Sequence, residues 1–197
     1  MKIADKFGLS VLLICLALAM PLTASAQEQS KDKAAQKLAL FEKQFQNEAS
    51  PQKKFYLLTQ LASAALAADD TDKAQTYARD LLKQAEEQKE NWNYGNAIHV
   101  GNLVLGLTAL QSGDVSQAKA YLLEAGKTPG SPQLNSFGPN MRLAKELLEK
   151  SEREVVIQYF EFCAKFWEMH KDRLDAWTTQ VKAGQIPNFG ANLFYQL

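Results

Sequence analysis

Residues 101–126 read GNLVLGLTALQSGDVSQAKAYLLEAG, and this stretch decides the fold. It describes two amphipathic helices joined by a tight turn at Gly113-Asp114. The same pattern recurs on both sides without internal gaps. Leu61-Ala62, Ala65, Ala74 and Tyr77 fall in register with Leu105-Gly106, Ala109, Ala118 and Tyr121. Leu143-Ala144, Leu147, Val156 and Tyr159 continue the series. A small residue early in each helix of a pair lets the two backbones cross closely, and the tyrosine fills the next gap.

Working outward, the spacing of Leu38, Phe41 and Phe45 predicts a helix from Asp32 toward Pro51. Ser50-Pro51 opens the next, with Ser as N-cap and Pro at the first helical position. It runs to about Ala68 and turns at Asp69-Asp70-Thr71-Asp72 into a partner carrying Ala74, Ala78, Leu81 and Ala85. A second pair starts between Trp92 and Tyr94 and closes at Gly126, which fits a left-handed C-cap. Residues 126–140 are rich in breakers, and Pro139 is expected to open a helix carrying Leu143 and Leu147. Ser151-Glu152 is the following turn, and an aromatic helix reaches from Arg153 to about Met169. A last helix spans residues 172–183, after which Ile186, Phe189, Leu193, Phe194 and Tyr195 predict a tail that packs down. Nothing reads as strand.

The order Leu105-Gly106, then Ala118, with Ala125 and Pro129 beyond, resembles the tetratricopeptide repeat family. The family's early Trp is missing, because Leu58 and Asn102 stand there, and the spacings of 44 and 38 residues exceed the family's ~34. The resemblance implies an all-α fold of antiparallel helix pairs stacked as a short right-handed superhelix, with extra N- and C-terminal helices. One domain would cover residues 27–197, with repeat-like units near 54–90, 98–130 and 136–169. It also implies a protein or peptide partner held on the concave face formed by the first helix of each pair. Carried onto this chain, that groove includes Thr59, Gln60, Ser63, Leu103, Leu107, Arg142 and Lys145. Leu103 and Leu107 stand where some members hold a peptide carboxylate. An apolar middle of this kind takes either a hydrophobic partner segment or coverage by one of the chain's own terminal helices.

The N-terminus is set apart from this pattern. Lys2 and Lys6 precede an apolar run from Leu9 to Leu18, and Ala24-Ser25-Ala26 supplies small residues at a cleavage position. Residues 1–26 are therefore expected to be a signal peptide, giving an exported periplasmic or extracellular protein cut after Ala26. The run is too short for a convincing membrane span. Lysine plus arginine balance aspartate plus glutamate at 22 each, and losing Lys2, Lys6 and Asp5 shifts this by one charge. Such balance argues against nucleic acid or an anionic membrane as partner. The ~170 residues that remain suffice for one domain with a sizeable core. Cys163 is then the lone cysteine, so no internal disulfide can form.

The chemistry-bearing residues are sparse. Gly126-Lys127-Thr128 echoes a phosphate loop, but Tyr121 replaces its first glycine. Asp69, Asp70 and Asp72 lack the glycine and glutamate of a calcium loop. Cys163 and His170 offer two metal-ligand types without a third, so no metal or other cofactor is expected. No Ser, Cys or carboxylate stands in a catalytic relation to either histidine, so a non-enzymatic binding protein is expected. Asn96, His99 and Asn102 form a polar stripe on an apolar helix, read either as solvated or internally hydrogen-bonded, or as the polar floor of a binding groove. The candidate binding residues are thus Thr59, Gln60, Asn96, His99, Asn102, Arg142 and Lys145. Loop 126–140 is read either as an anchored connection or as a partner contact. The alternative function is a small-molecule-binding protein or helical enzyme with a pocket among Phe162, Phe166, Trp167, Trp177 and Phe189.

Overall fold

The computed structural model describes residues 10–195 and 197, with side chains from residue 28 onward. The signal-peptide expectation falls on residues 1–26, outside the described side chains. Among the described residues there are nine α-helices and no strand. Among the described residues no helix is long and apolar enough to cross a membrane.

Helix α1 (Ser10–Asn47) packs along α2 (Pro51–Ala67), α2 along α3 (Thr71–Glu86), and α3 along α4 (Tyr94–Gln111). Helix α4 packs along α5 (Val115–Gly126) and also touches α2. A short α6 (Pro132–Phe137) follows, then the pair α7 (Arg142–Glu149) and α8 (Arg153–Cys163) against α5, and finally α9 (Arg173–Lys182) against α8. Local chemistry explains the starts. Ser50 Oγ accepts from the Lys53 N–H with Pro51 beginning the helix, and Asp70 and Asp114 cap α3 and α5 through Lys73 and Gln117. Helix α4 is the middle of the molecule. Every residue from Gly95 to Leu110 except Ile98 is buried, as a helix apolar on all sides requires.

The three turns within the pairs share one geometry. Asp69, Gly113 and Ser151 adopt positive φ of 62°, 84° and 66°. At each, the next N–H reaches five residues back: Asp70 to Ala65 O (3.0 Å), Asp114 to Ala109 O (2.9 Å) and Glu152 to Leu147 O (3.0 Å). The inner bonds, to Leu66, Leu110 and Leu148 carbonyls, are equally regular at 2.9 to 3.1 Å. This is the left-handed closure that satisfies the orphan carbonyls at a helix end. Its positions repeat at the 44- and 38-residue spacings read from the apolar register.

Four boundaries differ from expectation. Gly126 is the last residue of α5 rather than a left-handed cap, and Tyr159 and Phe162 lie where its Cβ would be. Residues 126–140 contain α6, which Ser131 opens by accepting from the Leu134 N–H at 3.0 Å. Pro139 does not start α7. The Met141 N–H is committed to Asn192 O (2.7 Å) and the Arg142 N–H to Asn140 Oδ1 (2.8 Å), so the helix begins at Arg142. Helix α8 ends at Cys163, because Trp167 turns inward against Gly138 and Trp177. The tail packs down in part: Phe189 and Asn192 are buried, whereas Ile186 and Phe194 are exposed.

Candidate functional site

The N-terminal half of α4 is where loop 126–140 folds back. The Gly130 carbonyl oxygen sits 1.6 Å from where a Gly95 Cβ would lie, so only glycine permits this contact. Thr128 Oγ1 donates to Gly95 O at 2.8 Å. Ser131 Oγ donates to Asn96 Oδ1 at 2.6 Å, while Asn96 Nδ2 donates to Asn93 Oδ1 (2.9 Å) and Gln133 Oε1 (3.1 Å). Leu134 seats fully buried below them.

His99 is also consumed by this packing. Its Nε2 accepts the Asn140 N–H at 3.1 Å, which leaves the proton of the neutral ring on Nδ1, facing Ala125 O at 3.2 Å. Burial pushes its pKa down to about 4, the Ala125 carbonyl only partly opposing. Asn140 is itself saturated. Its Nδ2 donates to the Leu193 and Tyr195 carbonyls (3.3 and 2.7 Å), and its own carbonyl accepts from Tyr159 OH at 3.2 Å.

Beside this network lies a cleft of about 500 Å³ between α1, α2, α4 and α6. Helix α1 contributes Lys37 and Phe41, α2 contributes Thr59, Gln60 and Ser63, and Asn93, Asn96, Gln133 and Leu197 complete it. The Lys37 ammonium lies 5.6 Å from the Phe41 ring centroid. Ser63 Oγ donates to Thr59 O at 3.0 Å, as a hydroxyl within a helix commonly does. Thr59 Oγ1 is buried with no hydrogen-bond partner among the described residues. The lining is therefore hydroxyls and carboxamides with one cation and one ring. Carboxamides both donate and accept, so this set can pair with a peptide backbone. No family model, curated protein or solved structure matches this chain.

Of the candidate binding residues, the structure brings Thr59, Gln60 and Asn96 together in the cleft, with Ser63. It does not bring in the others. His99 and Asn102 are buried inside the packed stripe, Asn102 Nδ2 donating to Ile98 O at 2.8 Å. Arg142 pairs with Glu146 at 3.0 Å and Lys145 with Glu149, each within α7 and outside the cleft. Leu103 and Leu107 are fully covered, so they present no apolar floor to a partner. The contributions of Lys37, Phe41, Asn93, Gln133 and Leu197 were missed, because they come from elements outside the repeat register. Asn93 alone carried a readable signal, lying three residues before Asn96 on the same stripe.

The aromatic cluster near α9 is packed ring on ring. Trp177 lies 5.8 Å from Trp167, 6.0 Å from Phe160 and 4.9 Å from Phe189, all buried. These rings form core, which is the common arrangement for such aromatic pairs. Cys163 is buried beside them, and burial pushes its thiol well above the ordinary range, away from thiolate chemistry. Among the described residues no three His, Cys, Asp or Glu side chains converge as a metal site would need.

Proposed function

We propose that this chain is an exported helical-repeat scaffold, built like a short tetratricopeptide array, that binds an extended segment of a partner protein. The observation that carries this reading is the cleft between α1, α2, α4 and α6, lined by the carboxamide-bearing Gln60, Asn93, Asn96 and Gln133 beside Lys37 and Phe41. An extended peptide exposes one N–H and one C=O per residue, and such side chains match both. The repeat geometry is supported by the three equivalent turns and by α2 touching α4 as well as α3, as stacked pairs do. Export is supported by the basic, apolar and small-residue order of residues 1–26. In this reading the chain performs no chemistry and needs no cofactor.

Peptide-display selection against the purified chain tests the proposal. One enriched sequence pattern is expected, with affinity falling by about tenfold or more in Thr59→Trp, which fills the cleft. Absence of enrichment, or a selected peptide that binds Thr59→Trp as well as the parent, overturns it.

A further inference from the structure

A second recess, of about 490 Å³, opens between α6, the start of α9 and the C-terminal segment. Its walls include Phe137, Arg173, Phe194 and Tyr195. Phe137 and Phe194 keep 62 % and 79 % of their surface in solvent, far more than apolar side chains need for packing. Phe137 lies 5.4 Å from the Tyr195 ring, so the two make a continuous aromatic wall.

Arg173 gives this wall a charge. Its guanidinium carbon stands 5.0 Å from the Trp167 ring centroid, stacked rather than ion-paired. Asp172 and Asp175 flank it in sequence, yet no carboxylate among the described residues lies within salt-bridge distance of it. Behind it Trp167 is wholly buried, and its Nε1–H has no acceptor among the described residues. His170, whose ring lies 6.2 Å from Trp167, has a buried Nδ1 that is also without a partner. Buried indole N–H groups ordinarily find an acceptor. A planar cation held by a ring and an exposed aromatic wall beside it favour the same kind of ligand.

We propose that this recess binds a small amphipathic organic acid, its carboxylate on Arg173 and its aromatic or short alkyl body against Phe137, Tyr195 and Phe194. The guanidinium fork suits a carboxylate in two parallel hydrogen bonds, and stacking on Trp167 holds that fork in place. The recess volume falls within the range of small-molecule sites. An inorganic anion would use the arginine but leave the rings unused, and an amine would be repelled. The site is separate from the carboxamide cleft, so either can fail without the other.

The test is calorimetric titration of the full chain with 4-phenylbutyrate, 4-phenylbutylamine and acetate. Saturable binding of 4-phenylbutyrate is expected, with the amine and acetate at least about tenfold weaker. Arg173→Gln and Phe194→Ser, both exposed positions, should each weaken 4-phenylbutyrate by about tenfold while leaving the circular dichroism unchanged. Equal binding of the amine, parental affinity in Arg173→Gln, or no binding of 4-phenylbutyrate at millimolar concentration would overturn the assignment.

Discussion

The backbone N–H of Asn140 donates to Nε2 of His99 at 3.1 Å, joining positions 41 residues apart. One bond thus fixes the imidazole tautomer, closes loop 126–140 over α4 and positions the residue that holds the C-terminal segment. Of the polar stripe of α4, Asn96 and His99 are spent on holding the loop and Asn102 on the Ile98 carbonyl of its own helix.

His99 makes stability depend on pH. Its folded pKa of about 4 lies below the ordinary 6.5, so between those values the unfolded chain binds the proton and the folded one does not. Stability from this site is full above pH 6.5 and falls as pH drops through that window, by on the order of 3 kcal/mol. Urea midpoints from pH 7 to 4.5 should show it. The difference between the parent and His99→Gln should shrink as pH falls; a constant difference would contradict the buried neutral ring.

Asn140→Ala removes three hydrogen bonds, two of them to the Leu193 and Tyr195 carbonyls. Unfolding free energy should fall by about 2–4 kcal/mol. Limited proteolysis should then cut within residues 186–195 before it cuts α2 to α5. Simultaneous cutting everywhere would mean that the tail is not held locally.

Ser151 occupies the left-handed position that Gly113 occupies in the preceding turn. Ser151→Gly should therefore stabilise by about 0.5–1 kcal/mol, while Gly113→Ala should cost about 1–2 kcal/mol. Opposite signs in thermal denaturation check that the turns are equivalent; destabilisation by both would refute it.

Gly95→Ala places a methyl against the Gly130 carbonyl, which is backbone and cannot rotate away. The expected loss is about 3 kcal/mol or more. Gly106→Ala instead meets Leu143 Cδ2, the end of a flexible side chain, and should cost less. Chemical denaturation of the two variants ranks them.

The paired helices were legible because their signals are local. Ser50-Pro51, Gly113-Asp114 and the small residues at 62, 106 and 144 act within a few residues of themselves. Helix α6 was not legible, since six residues among prolines and glycines carry no periodicity. The ends of α7 and α8 were set from far away, by Asn192 at Met141 and by Gly138 at Trp167. The stripe of Asn96, His99 and Asn102 was visible, but Asn96 and His99 find partners in a loop that folds back from up to 41 residues downstream. Arg142 and Lys145 drew attention as groove cations although Glu146 and Glu149, four residues on, already offered them partners on their own helix.

In the proposed function a peptide lies in the cleft between α1, α2, α4 and α6. Backbone and side-chain amide shifts recorded by NMR during titration with a display-selected peptide test it most directly. Perturbations are expected to concentrate at Lys37, Thr59, Gln60, Asn93 and Gln133, with Arg142 and Lys145 unmoved. Shifts centred on α7, or spread without a focus, would contradict it.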